Sequence, residues 1–252
     1  MLSNLLYRLG GARRQTLPCP DRPLAVIGDV HGSLGLLQDL LAKLPSDAEV
    51  VLVGDYIDRG EDSAGVLRFL SDRPDLICLR GNHEDMMLRF LADPSRHGPR
   101  WLQHGGVQTL ASFGIASGPA SGPASAPASA TREGLTDCRD ALLAALGTEL
   151  LDFVTQLLPS YLSGNVLVSH AGANPAVAPE DQDPAVLAWG HPDFDKIPRR
   201  DGIWVAYGHV IQDRAKVAQR RIAIDTGAYA TGRLSAVYLA PGAEPAFMSV
   251  LR

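Results

Sequence analysis

Polar donor groups directly follow apolar runs at three places in the first third of the chain. The runs are LAVIG, VVLVG and LICLRG, and the donor pairs that come with them are Asp29 with His31, Asp55 with Asp58, and Asn82 with His83. Two single histidines, His170 and His209, also follow apolar runs further along. A buried strand should not end in ionisable groups unless a partner compensates them. The pattern therefore predicts a site where these donors meet.

The donor types favour divalent metal ions as that partner. Carboxylates held close together raise each other's pKa, and buried imidazoles resist protonation, so such a set is unstable as bare charges. Carboxylate, amide and imidazole donors without thiolate suit Mn, Fe, Zn or a similar first-row ion better than calcium. Six ligands are too many for one tetrahedral zinc. They suit two ions about 3.5 to 4 Å apart that share one carboxylate and a solvent oxygen.

Strand-like and helical segments alternate around these donors. Strand-like runs lie at 24–29, 50–55 and 76–81, and segments with helical periodicity lie at 34–44, 63–70 and 84–91. This order predicts parallel strands under helices, with the carboxyl ends of the strands at one crevice. Later strand-like runs lie at 165–170, 204–209 and 221–226, and the terminal LSAVYLA and FMSVLR predict a hairpin. We therefore expect an α/β fold with a mixed sheet, or two packed sheets, and helices outside.

Composition limits the classes of protein to consider. The chain has 252 residues, of which 46% are hydrophobic, so one large domain is expected. Its formal net charge is −5 with scattered Lys and Arg, which argues against nucleic acid as a partner. Three dispersed cysteines argue against a disulfide framework and favour a reducing compartment, and we expect a cytoplasmic protein.

Two segments differ from the rest in composition. Residues 1–20 are expected to be an N-terminal extension before a single domain at 21–252, with no secretory signal and no membrane span. A terminal helix docked on the core is expected there, and the alternative is an amphipathic surface contact through Leu2, Leu5, Leu6 and Leu9. A Gly/Ala/Pro/Ser tract predicts a flexible insertion at 116–134, with a lid or docking loop as the alternative.

The motifs around the donors, taken in order, resemble those of a known enzyme family. GDVHG (28–32), GDYIDRG (54–60) and GNHE (81–84), followed by single histidines in SHAG and GH, resemble the phosphoprotein phosphatase family within the calcineurin-like metallophosphoesterases. The likeness is to the small bacterial and phage serine/threonine phosphatases and covers roughly residues 24–239, including IDTGA. One such motif is weak evidence because GD and GN also mark turns, but three at βαβ spacing are specific. The resemblance implies mixed β-sheets packed as a central β-sandwich flanked by helices.

The resemblance also implies a ligand set. Asp29 and His31 would bind a first metal ion, and Asp55 would bridge both ions. Asn82, His170 and His209 would complete the second. Manganese is the expected ion, with Fe, Zn, Ni and Co as alternatives. Asp29 or Asp55 alone would more often be a turn or cap residue, and Asn82 could be only a helix cap, but the joint pattern favours ligands.

Three further residues have predicted roles in phosphate chemistry. His83, beside Asn82 but off the metals in the family pattern, is the candidate general acid. Asp58 is expected to hydrogen-bond His83 and keep it protonated, since a close carboxylate raises the pKa of an imidazole. Arg59 offers a planar fork to phosphate oxygens, and its alternative is a surface salt bridge.

The resemblance has one gap. The phage-like enzymes have Arg two positions after Trp in a WxR segment, where this chain has His191 after Trp189. His191 is therefore expected to contact substrate or to be an ordinary surface residue, with Arg199 or Arg200 as substitutes for the missing arginine.

Three functions remain open at this stage. The first is a metal-dependent phosphomonoesterase acting on phosphoserine or phosphothreonine in proteins, or on small phosphoesters, with a hydroxide that bridges two metal ions attacking phosphorus in line. The second keeps this centre and hydrolyses a dinucleoside polyphosphate such as diadenosine tetraphosphate. The third is a binding protein that has kept the fold without turnover.

Overall fold

A computed structural model describes residues 17–116 and 131–252. Leu2, Leu5, Leu6 and Leu9 of the predicted N-terminal extension lie outside the described residues, and so do residues 117–130 of the predicted insertion. Residues 132–134 of that insertion form the first turn of a helix, and the Thr131 side chain caps it by accepting from the Gly134 backbone N–H at 3.0 Å. Helical structure therefore resumes before the end of the predicted flexible segment.

The strands of the described chain form two sheets of five strands each. The first has the order β10-β9-β1-β2-β3 and the second β4-β5-β6-β8-β7. The strands are β1 (Leu24–Ile27), β2 (Glu49–Leu52), β3 (Leu76–Cys78), β4 (Ser160–Ser163), β5 (Val166–Ser169), β6 (Trp204–Tyr207), β7 (Lys216–Ala218), β8 (Arg221–Ala223), β9 (Arg233–Leu239) and β10 (Ala246–Leu251).

Helices flank both sheets. They are α1 (Leu34–Leu41), α2 (Ser63–Ser71), α3 (Asn82–Ala92), α4 (Pro94–Trp101), α5 (Val107–Ser112), α6 (Arg132–Thr155), α7 (Pro184–Trp189) and α8 (Ala228–Thr231). A π-helical turn at Leu102–Gly106 joins α4 to α5, and a 3-10 turn covers Pro179–Asp181. Gly147 has a φ of 62° and breaks α6 into two segments. No helix of the described ranges is both long and apolar enough to cross a membrane.

Parallel pairing brings the carboxyl ends of the early strands together. β1 pairs with β2, and β2 pairs with β3, each in parallel. In the second sheet β6 lies parallel to both β5 and β8. The donors that follow these strands therefore share one edge of the molecule, as the βαβ pattern predicts. The terminal hairpin, β9 with β10, joins the first sheet through antiparallel pairing of β9 with β1.

The two sheets pack face to face across an apolar layer. Val26 of β1 and Val51 of β2 contribute to this layer from the first sheet, and Val168 and Ala206 contribute from the second. A larger cluster lies between the first sheet and its helices, and a smaller one lies under α7. The α/β prediction, with mixed sheets in a sandwich flanked by helices, is therefore confirmed.

The helix that begins at Asn82 is fixed by an aromatic contact. Phe90 of α3 is fully buried and stacks on Trp101 of α4, with ring centroids 4.6 Å apart. Since Asn82 and His83 occupy the first turn of α3, this contact positions both of them.

Replacement of Phe90 by alanine is expected to destabilise the protein strongly. Loss of a fully buried ring leaves a cavity beside Trp101, so the free energy of unfolding should fall by about 3–5 kcal/mol in urea titrations. The matched control is Phe247→Ala, because Phe247 of β10 is 40% exposed; there the loss should be about 1 kcal/mol or less. Equal losses in both variants would mean that α3 is not held by this core.

Candidate metal centre

The loops after the strands hold residues in left-handed backbone conformation. Five such residues, with φ between 41° and 71°, are His31, Asp55, Asp58, Arg59 and His209. Within the described residues only Gln219 and Arg220, in the turn between β7 and β8, are other non-glycine residues of this kind. Each costs about 1–3 kcal/mol and persists only where the surrounding structure enforces it. Such strain concentrates at functional sites.

Two glycines allow the loops to approach one another closely. A Cβ atom on Gly208 would lie 1.9 Å from Oδ1 of Asp29, and one on Gly81 would lie 2.1 Å from Oδ1 of Asp55. No side chain fits at either position without moving a carboxylate. The close packing of these loops therefore requires glycine at positions 81 and 208.

Asp55 lies at the middle of the donor cluster. Its Oδ2 atom is 3.5 Å from Nε2 of His31, 3.4 Å from Nε2 of His170 and 3.9 Å from Nε2 of His83. All four side chains are buried. Asp29 lies close enough to raise the pKa of Asp55, and its carboxylate accepts from the His209 backbone N–H at 3.0 Å.

A second group of donors surrounds Asn82. Its Oδ1 atom is 2.9 Å from both Nε2 of His170 and Nδ1 of His209, and these two nitrogens are 3.1 Å apart. Asp55, His170 and His209 thus form one group able to hold a metal ion. His31, Asp55 and His83 form another.

Hydrogen bonds outside the cluster fix the orientation of two imidazoles. Nδ1 of His31 lies 2.7 Å from the Ile57 carbonyl oxygen, and Nδ1 of His170 lies 3.2 Å from that of Val53. A carbonyl oxygen only accepts, so each Nδ1 carries the hydrogen and each Nε2 of the neutral ring presents its lone pair to the cluster. This arrangement is typical of histidines that bind metals.

The contacts inside the cluster fit cations. The Nε2 lone pair of His170 faces the Oδ1 acceptor of Asn82 at 2.9 Å with no hydrogen available between them. Burial and the charge of Asp225 raise the pKa of Asp29 well above its usual value, and burial and Asp29 do the same for Asp55. Burial lowers the pKa of His31 and His170. Neutral imidazoles and crowded carboxylates are the state that a divalent ion stabilises.

Beside the cluster, Asp58 and His83 form a buried pair. Nδ1 of His83 is 2.6 Å from Oδ2 of Asp58. The Asp58 carboxylate also accepts from Trp101 Nε1 at 3.0 Å and from the Thr109 hydroxyl at 2.6 Å. The predicted hydrogen bond between Asp58 and His83 is therefore present in the structure.

Burial shifts the pKa values of both groups in this pair toward their neutral forms. Burial raises the pKa of Asp58 to about 8 and lowers that of His83 to about 3. The reason is that both groups are buried, and the neutral form of each is favoured. The 2.6 Å hydrogen bond between Nδ1 of His83 and Oδ2 of Asp58 holds one proton, and the expectation that Asp58 keeps His83 protonated stays a prediction.

Arg59 extends from the cluster to the surface. Its Nη1 atom lies 3.3 Å from Nε2 of His31, and its guanidinium carbon lies 5.2 Å from the ring centroid of Tyr229. The same tyrosine ring contacts the His31 ring edge-on at 5.2 Å. An open groove of about 570 Å³ begins here, lined by Arg59, Leu102, Gln103, His104, Gly105, Val107, Gln108 and Tyr229.

Three residues that were not predicted from the sequence support the site. Glu84 is fully buried and accepts backbone N–H groups from Asp55 and Gly81 at 2.9 Å and from Tyr56 at 2.8 Å. Asp225 is buried near Asp29, and Tyr229 supports Arg59. Glu84 ends the GNHE motif and Asp225 lies in IDTGA, so the motifs carried a signal for both. Tyr229 had none.

His191 and its proposed substitutes each have other contacts in the structure. His191 Nδ1 accepts from the backbone N–H of Asp193 at 3.2 Å, within its own loop. The Arg199 guanidinium is bound to Asp201 and to the carbonyl oxygens of Asn174 and Val177. Arg200 lines a different surface hollow together with Asn174. The contact of His191 with substrate remains a prediction.

Solved structures with this fold cover most of the chain. A crystal structure of a protein provisionally named as a diadenosine tetraphosphatase matches 94% of this chain and 96% of its own, with a TM-score of 0.62 and 21% identity. A metallophosphoesterase from Sphaerobacter thermophilus matches 91% of this chain and 89% of its own, with a TM-score of 0.52 and 15% identity. At these identities the matches show the fold alone.

Curated relatives match over a shorter part of the chain. Serine/threonine-protein phosphatase 2 of Escherichia coli (strain K12) is 42% identical over 88 residues, which is 34% of this chain and 39% of the relative. A symmetrical bis(5'-nucleosyl)-tetraphosphatase of Ralstonia nicotianae is 37% identical over 81 residues, 31% of this chain and 29% of the relative. The chain thus matches about two fifths or less of the length of these relatives.

A family model extends the likeness over most of the described residues. The model for calcineurin-like phosphoesterases matches residues 22–213, a range that contains every donor of the cluster. The family resemblance noted from GDVHG, GDYIDRG and GNHE is thereby confirmed. The chain belongs to the calcineurin-like phosphoesterase family of hydrolases.

Proposed function

We propose that this protein is a metal-dependent phosphomonoesterase that removes phosphate from serine or threonine in proteins. One observation carries the proposal: Asp55 is faced by the lone pairs of His31 and His170, directly beside the buried Asp58–His83 pair. This combines a metal site with a proton donor in one crevice. The Escherichia coli relative named as a serine/threonine-protein phosphatase supports the substrate class.

Six residues would hold two divalent ions. Asp29, His31 and Asp55 would hold one, and Asp55, Asn82, His170 and His209 would hold the other. When bound, the ions supply activation of a water nucleophile and neutralise charge on the phosphoryl group. The mixed oxygen and nitrogen donors suit Mn, and they also accept Fe, Zn, Ni or Co.

Arg59 orients the phosphoryl group. Its guanidinium lies at the mouth of the cluster, next to His31 and supported by the Tyr229 ring. A planar fork of N–H donors binds two phosphoryl oxygens at once and stabilises charge that develops on them.

His83 supplies the proton that the leaving oxygen needs. The hydrogen bond from Nδ1 to Asp58 directs Nε2 toward Asp55 and the crevice. As Nε2 gives up its hydrogen, the proton shared with Asp58 can move to Nδ1. Asp58 is then left as a carboxylate that Trp101 and Thr109 stabilise by hydrogen bonds.

A second candidate is hydrolysis of dinucleoside polyphosphates at the same centre. Two observations favour it. The groove beside Arg59 has a volume of about 570 Å³, which is within the usual range for ligand sites. The Ralstonia nicotianae relative is named as a tetraphosphatase. A binding protein without turnover is less well supported, because such a protein needs no proton donor.

We also propose a reducing, cytoplasmic location. Cys19, Cys78 and Cys138 are all free thiols, and Cys19 is exposed. Free exposed thiols persist in reducing compartments.

Replacement of Asp55 by asparagine is expected to lower metal content at both positions, because one carboxylate serves both ions. Elemental analysis after dialysis should find about two Mn per wild-type chain, and well below one in the variant. The control is Asp75→Asn, at a surface carboxylate that pairs with Arg73; its metal content should match wild type. Loss of a single ion in Asp55→Asn would contradict the bridging assignment.

Replacement of His83 by asparagine is expected to lower kcat for p-nitrophenyl phosphate by about 10²–10⁴-fold, the range for general acid catalysis. Circular dichroism and metal content should stay close to wild type. A smaller effect on kcat would assign the proton to solvent. Absence of wild-type turnover with Mn, Fe, Ni, Co and Zn would favour the binding protein.

A direct comparison of substrates separates the first two functions. We expect kcat/KM for phosphoserine and phosphothreonine peptides to exceed that for diadenosine tetraphosphate by at least about tenfold, assayed with the same Mn-loaded protein. The reverse order would assign the protein to dinucleoside polyphosphate hydrolysis. Equal values would mean that neither class is preferred.

A further inference from the structure

Two arginines stack on one tryptophan beside α3, the helix that begins at Asn82. The guanidinium carbons of Arg89 and Arg100 lie 5.8 Å and 5.3 Å from the ring centroid of Trp189. The arginines come from α3 and α4, and the tryptophan ends α7. Met86 and His97 complete the hollow around them. We call Arg89, Trp189 and Arg100 the arginine–tryptophan cluster.

The cluster holds more positive than negative charge. Asp85 is the carboxylate that contacts it, accepting from Arg89 Nη2 at 3.4 Å and from Trp189 Nε1 at 3.1 Å. Asp93 lies at the start of α4, where it accepts from the Arg96 backbone N–H at 3.1 Å. Both arginines are exposed, and the chain as a whole is acidic with a net charge of −5.

This local excess of positive charge favours an anion. Two guanidinium groups near one ring repel each other, and an anion bound by both removes that repulsion. Guanidinium forks match the oxygens of a phosphoryl group, and the indole ring holds the forks in place by cation–π contact.

The cluster is tied to the metal centre through short connections. Asp85, which binds Trp189 Nε1, lies on α3 one turn after Asn82. The carbonyl oxygen of Leu187 in α7 accepts from the backbone N–H of Ala171, the residue after His170, at 2.7 Å. Both sides of Trp189 are therefore fixed to segments that carry donors of the metal centre.

His104 lies between the groove of Arg59 and the arginine–tryptophan cluster. His104 lies one helical turn beyond Arg100, and its Nδ1 donates to the Arg100 carbonyl oxygen at 2.7 Å. His104 also lines the groove that contains Arg59. His104, on the π-helical turn after α4, thus contacts Arg100 on one side and the groove of Arg59 on the other.

We propose that the arginine–tryptophan cluster binds a second phosphoryl group of the substrate while the first lies at the metal centre. The proposal rests on the proposed phosphoesterase function and names the kind of substrate it prefers, a molecule with two separated phosphoryl groups. Arg89 follows Asn82 by seven residues on α3, about 10 Å along the helix axis. An extended phosphopeptide covers about 7–13 Å over two to four residues, so a second phosphoserine at that spacing suits the two sites. A dinucleoside polyphosphate is another source of the same group.

The test compares singly and doubly phosphorylated peptides of one sequence. Wild-type protein should show about tenfold higher kcat/KM for the doubly phosphorylated peptide at one or more spacings, mainly through KM. In Arg89→Ala/Arg100→Ala this ratio should fall to about one. In Arg89→Lys/Arg100→Lys it should lie between these values, because lysine keeps the positive charge but lacks the bidentate guanidinium group.

The matched control is Arg73→Ala. Arg73 also stacks on an aromatic ring, that of Phe69 at 5.6 Å, but it lies in the loop after α2 and outside the site. This variant should keep the wild-type ratio. A wild-type ratio near one at every spacing would overturn the proposal, and so would a high ratio that survives in Arg89→Ala/Arg100→Ala.

A binding measurement separates failure of this proposal from failure of the proposed function. If no peptide is hydrolysed, fluorescence anisotropy of labelled peptides with the Mn-loaded protein still tests the cluster, and about tenfold tighter binding of the doubly phosphorylated peptide is expected. Equal binding overturns the proposal. Diadenosine tetraphosphate is assayed in parallel with wild type and Arg89→Ala/Arg100→Ala. A lower kcat/KM for it in the variant, together with the lost peptide preference, would mean that the cluster binds the second phosphoryl group of both substrates. An unchanged kcat/KM would assign the cluster to phosphopeptides.

Discussion

The central constraint on this structure is that acceptor groups face one another in a buried crevice. The Nε2 lone pair of His170 meets the Asn82 oxygen at 2.9 Å, and Asp55 lies close to two imidazole nitrogens. Without positive charge between them, these contacts are repulsive and the carboxylates titrate far from their usual range. Divalent ions remove both difficulties, and the proposed chemistry depends on them.

The surrounding structure maintains this unfavourable arrangement. Parallel strands place the donors at one edge of the sheet. Glu84 joins the loop of Asp55 to the start of α3, because it accepts the backbone N–H groups of Asp55, Tyr56 and Gly81. Left-handed residues in the loops add strain of about 1–3 kcal/mol each. Gly81 and Gly208 permit contacts that any side chain would block. Stability contributed by the core, including Phe90 on Trp101, therefore offsets the cost of the site.

Local pattern predicted the elements and the meeting of the donors well. Alternating apolar runs and helical periodicity gave the order of β1 to α3, and parallel pairing explains why residues far apart in sequence converge. Contacts and pKa shifts that arise only in the folded chain could not be predicted from local pattern. Tyr229 reaches Arg59 only through the path of the chain after β8, and the pKa of His83 falls because of burial, which no neighbour in sequence reveals. For the same reason, the segment AWGH (188–191) does not predict the contact of Trp189 with Arg89 and Arg100.

The central claim is that the crevice binds two ions joined by Asp55. Anomalous diffraction at the manganese edge, from crystals grown with MnCl₂, tests it most directly. We expect two peaks about 3.5–4 Å apart on either side of the Asp55 carboxylate. A crevice without an anomalous peak, or with a single ion that Asp55 does not contact, would contradict it.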